Sequence, residues 1–271
     1  MLSDKFKALN KEAQFTNEIL SAGATQIRKA NYATKGIYFQ SFTSLSTGLE
    51  RIGKLCVMVD YCMDHGGKFP DIDLLKKDIG HHILKLYKKS KEIATQRSIK
   101  FSFLTDLEGS LHQAILRVLS DFARGDRYSN IDILVNSERA GDPIEAWHKT
   151  VDLPIFDKHV SDERKRAIHS NAEAMSKLIG SNTMVLHVSE ENNEITTVDE
   201  ASYRTGLFEA TAPYRQLYVV QVIRYWAELL IELSYRAMGS GNQDVPHFGE
   251  IFGHFRNDDR YVRTRKTWDR L

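Results

Sequence analysis

The stretch FTSLSTGLERIGKLCVMVDYCM, residues 42–63, decides the fold class. Its apolar side chains Phe42, Leu45, Leu49, Ile52, Cys56, Val59 and Met63 step by three and four residues, and Leu55, Met58 and Cys62 widen the seam. A period near 3.6 collects these side chains on one side of an α-helix, and a band this wide faces a core. A half-buried strand would instead alternate at every second position. The spacing predicts a helix over 36–64. It stops at His65-Gly66-Gly67-Lys68-Phe69-Pro70, where glycine takes the left-handed cap and proline blocks continuation.

Working outward, a second helix is expected over 71–92, with Leu75, Ile79, His82 or Ile83, and Leu86 in register. The short loop before it makes the two an antiparallel pair. Leu104, Leu107, Leu111, Ala114, Val118 and Phe122 mark a third helix, ended by Arg124-Gly125-Asp126-Arg127. Asp142-Pro143 reads as an N-cap with proline at the first helical position, opening a short helix through Trp147. Ser161-Asp162-Glu163 begins a polar helix that runs to about Gly180. The β-branched runs Thr183–Val188 and Ile195–Val198 flank a polar turn and predict a small hairpin over about 183–198. From Pro213, Val219, Ile223, Trp226, Leu230, Leu233 and Ala237 predict a long helix to 238, closed by Gly239-Ser240-Gly241-Asn242. The expected fold is an all-α helical bundle with one small β-hairpin insertion, a single helical domain over 1–271.

Composition narrows the function classes. The 37 basic and 36 acidic residues leave a net charge of +1, so any pull on nucleic acid or anionic lipid must come from a local patch. No apolar run approaches the roughly 20 residues of a membrane span, and no membrane partner is expected. The N-terminus leads into an amphipathic segment without an apolar signal core. Cys56 and Cys62 are six residues apart on one helix, about 9 Å along its axis. That is too far for a disulfide, whose Cα atoms sit within about 7 Å. Two unpaired thiols fit a reducing compartment, and the expected location is the cytoplasm.

There is no nucleophile elbow, phosphate-binding glycine loop, paired CxxC or HExxH. Four weaker constellations remain. Asp78 and His82, four apart, share a helix face as two ligands would, yet His82 also falls on the apolar stripe, where a hydrogen-bonded histidine accounts for it. Glu145 and His148 have the ExxH spacing of di-iron bundles, but such sites need a second copy and two further carboxylates, so no metal or other cofactor is expected. Arg164 and His169 place a cation and an imidazole about one turn apart, the pair a metal-independent ribonuclease needs, or else form part of a solvated face. Arg256, Arg260, Arg263, Arg265, Lys266 and Arg270 interleave with Phe255, Tyr261 and Trp268, a pattern suited to single-stranded RNA. A tail packing its aromatics onto the bundle explains the same letters.

Leu45-Ser46-Thr47-Gly48-Leu49-Glu50-Arg51-Ile52-Gly53-Lys54-Leu55, followed by Gly80-His81-His82-Ile83-Leu84-Lys85-Leu86, resembles the long second and third helices of HEPN-type helical domains. Phe122-Ala123-Arg124-Gly125-Asp126-Arg127-Tyr128 is similar to the arginine–tyrosine stretch some members carry after the next helix. The resemblance covers about residues 36–135, leaving 142–271 as a helical extension. It implies a four- or five-helix bundle that often dimerises, in a family of RNA-cleaving toxins, defence proteins and non-catalytic RNA- or nucleotide-binding modules. Active members use an Rx4–6H motif. No histidine stands at that spacing from Arg127, and the formal match, Arg164 to His169, lies outside the resembling segment.

The leading expectation is a HEPN-like protein that binds or acts on RNA, with stress or phage defence as its setting. Arg164 would be the phosphate-stabilising cation and His169 the acid or base. His81, His82, Arg127, Arg256, Arg260 and Arg263 would be binding residues. The alternative is a non-enzymatic interaction protein, a homodimer or docking scaffold, with the seam from Phe42 to Met63 serving as an interface or as core.

Overall fold

The helix read from residues 42–63 is α2, Gly36–Asp64, and its main partner is a second long helix, α1, Asp4–Ile27. The structure is a computed structural model that describes residues 2–71, 73, 80, 82–135 and 141–268. Ser3 starts α1 by accepting a hydrogen bond from the Phe6 backbone N–H. The two helices run antiparallel and very close. A Cβ on Gly23 would lie 2.7 Å from Leu45 Cγ, and one on Gly48 would lie 2.6 Å from Leu20 Cγ. Each glycine thus lets a leucine of the other helix sink against its backbone. Phe42, Leu45, Leu49, Ile52, Cys56 and Val59 are buried and Met63 packs against them, so the seam is core and offers no interface to a second copy.

The further helices, in chain order, are α3 (Ile83–Gln96), α4 (Ser110–Arg124), α5 (Ser129–Leu134), α6 (Pro143–Trp147), α7 (Leu153–His159), α8 (Asp162–Ile179), α9 (Val198–Gly239), α10 (Gly249–Phe252) and α11 (Asp259–Thr264). The bundle is organised around α9. From Arg215 to Ser234 almost every residue of α9 is buried, the pattern of a helix enclosed on all sides. α1, α2, α3, α4, α7 and α11 surround it. At 42 residues α9 is about 63 Å long, and its N-terminal half overhangs that core. There it pairs with α8 over a small second cluster of Phe156, Val160, Ile168 and Leu207.

One polar knot ties the layers together. α6, a π-helical turn over His148–Asp152 and α7 run on as one helix. The wide turn brings residues five apart onto one side, so Trp147 Nε1 donates to Asp152 Oδ1 at 3.0 Å. Arg215 from α9 adds two hydrogen bonds of 2.8 Å to the same carboxylate, and the Tyr38 hydroxyl of α2 donates to it at 3.2 Å. The remaining Arg215 nitrogen donates to the carbonyls of Ile27 and Ala30.

The all-α fold with a small hairpin is as expected, and so are several helix ends. Asp142 caps α6 with Pro143 at its start, Ser161 caps α8, and Gly241 at φ 86° follows the end of α9. Other boundaries differ. α9 begins at Val198, where Thr197 accepts from the Glu200 N–H, and Pro213 lies inside it. Proline lacks the N–H that the Glu209 carbonyl would take, but Glu209 is exposed, so solvation can replace that bond. The helix expected over 71–92 is described only as α3 from Ile83, and residues 72, 74–79 and 81 lie outside the described residues. His82 stands at the N-cap of α3 in extended backbone, not on a helical stripe. α4 starts at Ser110, so Leu104 and Leu107 reach the core from a loop. Strand pairing narrows to β1, His187–Val188, against β2, Glu194–Ile195. Cys56 and Cys62 are both free and buried.

Candidate nucleic-acid interface

The residues singled out from the sequence scatter over the fold. Arg164 and His169 are both exposed on α8. Five residues turn a helix by about 140° beyond a full circle, so the two side chains do not converge. His169 lies against the Tyr203 ring, 4.5 Å between centroids, and the Arg164 backbone N–H is taken up by the Ser161 cap. Arg127 is exposed in a 3-10 turn after α4, over the ring of Tyr128. His82 is pushed below the usual histidine range by burial and by the nearby cations Arg124 and Lys85. His81 and Asp78 lie outside the described residues. Glu145 is paired with Lys149, and His148 is buried 3.9 Å from Asp152. Among the described residues no group of three or more His, Cys, Asp or Glu is placed to hold a metal.

The C-terminal stretch divides by side chain. Phe255 and Trp268 are fully buried and stacked on each other, and the Trp268 backbone N–H donates to Thr25 Oγ1 of α1. Arg256 turns toward Glu228, 3.8 Å away, and toward the Ser102 hydroxyl. Glu228 is itself almost fully buried and its carboxyl is raised by that burial. Arg260 and Arg263 are exposed on α11, and among the described residues neither makes an ion pair.

Arg263 leads to a place where cations and several rings converge. Its guanidinium lies 5.4 Å from the centroid of Tyr214 on α9. Tyr214 stacks on His159 at the end of α7, centroids 4.5 Å apart and planes 12° from parallel. His159 meets Tyr218, one helical turn further along α9, and His112 of α4 packs edge-on against the same ring at 5.2 Å. The order Arg263–Tyr214–His159–Tyr218–His112 is a ladder drawn from α11, α9, α7 and α4. Lys158 joins it: its Nζ donates to the Tyr218 hydroxyl at 3.2 Å, and His159 Nε2 is 2.9 Å from the same oxygen.

Electrostatics at the two ends of the ladder differ. His159 is held below the usual histidine range by burial and then by the charges of Lys158 and Arg263, so it is neutral near pH 7. His112 is also lowered, chiefly by burial. Its Nε2–H donates to Gln221 Oε1 at 2.8 Å, Gln221 donates to Asp259 Oδ2, and Arg224 takes Asp259 Oδ1. The inner end is therefore closed by a hydrogen-bonded network. The outer end keeps Lys158 and Arg263 without a carboxylate partner among the described residues.

Such an end offers what a polyanion with flat bases requires: ammonium and guanidinium for phosphate oxygens, and a half-exposed tyrosine–imidazole stack for a base. The chain matches no protein-family model, no curated protein and no solved structure. The interface therefore stands on its own geometry. Of the residues read from the sequence, Arg263 is part of it and Arg260 neighbours it on α11; Lys158, His159, Tyr214 and Tyr218 were missed. One signal was present, since Tyr214, Tyr218 and Gln221 sit at i, i+4 and i+7 on one helix face.

Proposed function

We propose that the chain binds single-stranded RNA across the face formed by the end of α7, the middle of α9 and α11. The observation that carries this reading is the pair of unneutralised cations, Lys158 on the Tyr218 hydroxyl beside His159 and Arg263 over the Tyr214 ring stacked on His159. Elsewhere most cations that approach the core have carboxylate partners: Arg51 with Glu12, Arg97 with Asp60 and Asp64, Arg204 with Glu190, Arg215 with Asp152. The HEPN resemblance and a role in stress or phage defence belong with this proposal. Binding, rather than cleavage by Arg164 and His169, is what the arrangement favours, because those two side chains diverge.

The test is fluorescence anisotropy of a labelled single-stranded RNA with purified full-length protein. Lys158→Ala with Arg263→Ala is expected to weaken binding about tenfold or more, as loss of two charge-assisted contacts does. Arg164→Ala with His169→Ala is expected to leave it within about twofold. No binding by the unaltered protein, or equal loss in both double variants, contradicts the reading.

A second reading has one observation behind it. Leu178 at the end of α8, with Met184 and Leu186 before β1, exposes 73%, 93% and 76% of its surface respectively, a concentration of apolar side chains suited to docking another protein or a second copy. Light scattering over a concentration series, with Leu178→Ser and Leu186→Ser beside the unaltered chain, tests this as a homodimer contact.

A further inference from the structure

Resting on the RNA reading, we propose that Lys158, His159 and Arg263 form a subsite for a terminal phosphate monoester, so that the face takes the phosphorylated end of an RNA in preference to its interior. The argument begins with charge. An internal phosphodiester carries one negative charge, whereas a terminal phosphate carries about −1.5 to −2 near pH 7 and three strong acceptor oxygens. One free cation suffices for the first. This site presents two, an ammonium and a guanidinium, with an imidazole between them.

The three groups converge through shared partners. Lys158 Nζ and His159 Nε2 both touch the Tyr218 hydroxyl, at 3.2 and 2.9 Å. Arg263 Nη1 is 3.4 Å from the hydroxyl of Tyr214, the ring stacked on His159. Two carboxylates on the surrounding elements are already engaged. Asp157 of α7 pairs with Lys165, and Asp259 of α11 is held by Gln221 and Arg224. The two cations are thus free to meet an anion.

His159 adds discrimination. Burial, and after it the charges of Lys158 and Arg263, hold its ring neutral in the free protein. A dianion seated between them offsets the field of the two cations and favours the imidazolium, a third cationic donor. A monoanionic diester relieves that field only in part.

The experiment compares one octanucleotide of fixed sequence in three forms, with hydroxyl at both ends, with 5′-phosphate, or with 3′-phosphate, by anisotropy with full-length protein at pH 7. One phosphorylated form is expected to bind about tenfold more tightly than the hydroxyl form. His159→Gln is expected to cut that preference, the ratio of the variant's own affinities for the phosphorylated and hydroxyl forms, to within about twofold. Equal affinity of the unaltered protein for all three forms overturns the subsite and leaves RNA binding standing. Failure of every form to bind overturns both. The comparison of the three RNAs uses the unaltered chain, so it holds whether or not the variant folds.

Discussion

Asp152 and Arg215 meet as a bidentate pair, Nε on Oδ1 and Nη2 on Oδ2 at 2.8 Å each, with the carboxylate 0% and the guanidinium 1% exposed. No water reaches either group, so each depends on the other and on the ring N–H of Trp147 and the hydroxyl of Tyr38. Removing one partner leaves a charge buried alone, which costs far more than the pair itself contributes. Asp152→Ala is expected to destabilise the protein by about 3–5 kcal/mol, read from urea unfolding. Asp152→Leu with Arg215→Met is expected to lose less than Asp152→Ala alone. A loss below about 1 kcal/mol for Asp152→Ala contradicts this account of the core.

The crossing of α1 and α2 predicts opposite outcomes for chemically identical changes. Gly23→Ala and Gly48→Ala place a methyl group within 3 Å of Leu45 and Leu20 respectively. Alanine is the better helix former by about 1 kcal/mol, but forcing the leucine aside costs about 1–3 kcal/mol. Both variants are expected to melt at lower temperature than the unaltered chain. Gly36→Ala, where a Cβ meets nothing within 4 Å, is expected to melt at the same temperature or slightly higher. Equal shifts at all three positions contradict the close approach.

Stability toward acid is expected to depend in part on His112. Burial holds its folded-state pKa below that of the unfolded chain, about 6.5. As pH falls the unfolded state therefore takes up the proton first. The stability is fully present above about pH 6.5 and is lost as pH drops through the lowered folded value. The melting temperature of the unaltered protein is expected to fall more steeply from pH 7 to pH 5 than that of His112→Gln. Parallel curves contradict the assignment.

How much of this was legible in the sequence depended on which side chains were buried. α2 could be read because its buried face is made of Phe, Leu, Ile and Val at helical spacing. α1 packs just as deeply, yet its buried face includes Ala13, Thr16, Asn17, Ser21, Gly23, Ala24 and Thr25, small or polar residues that give little apolar rhythm. The first half of α9 was missed because Pro213 looks like a start and few residues of that half are buried. Caps fared better, since Asp142-Pro143 and Ser161 act through neighbours in the chain. The ladder did not, because His112, His159, Tyr214, Tyr218 and Arg263 come from four helices and meet only in the fold. Arg164 and His169 show the converse, a motif spacing that folding sends in different directions.

The salt dependence of RNA binding tests the central claim most directly. Each phosphate neutralised by a side chain contributes about −0.7 to the slope of log K against log salt for a single strand. With Lys158, Arg260 and Arg263 as the exposed cations of the face, the unaltered protein is expected to show a slope of about −2, and Lys158→Ala with Arg263→Ala a slope nearer −0.7. A slope near zero, or one that the double variant leaves unchanged, would contradict the account.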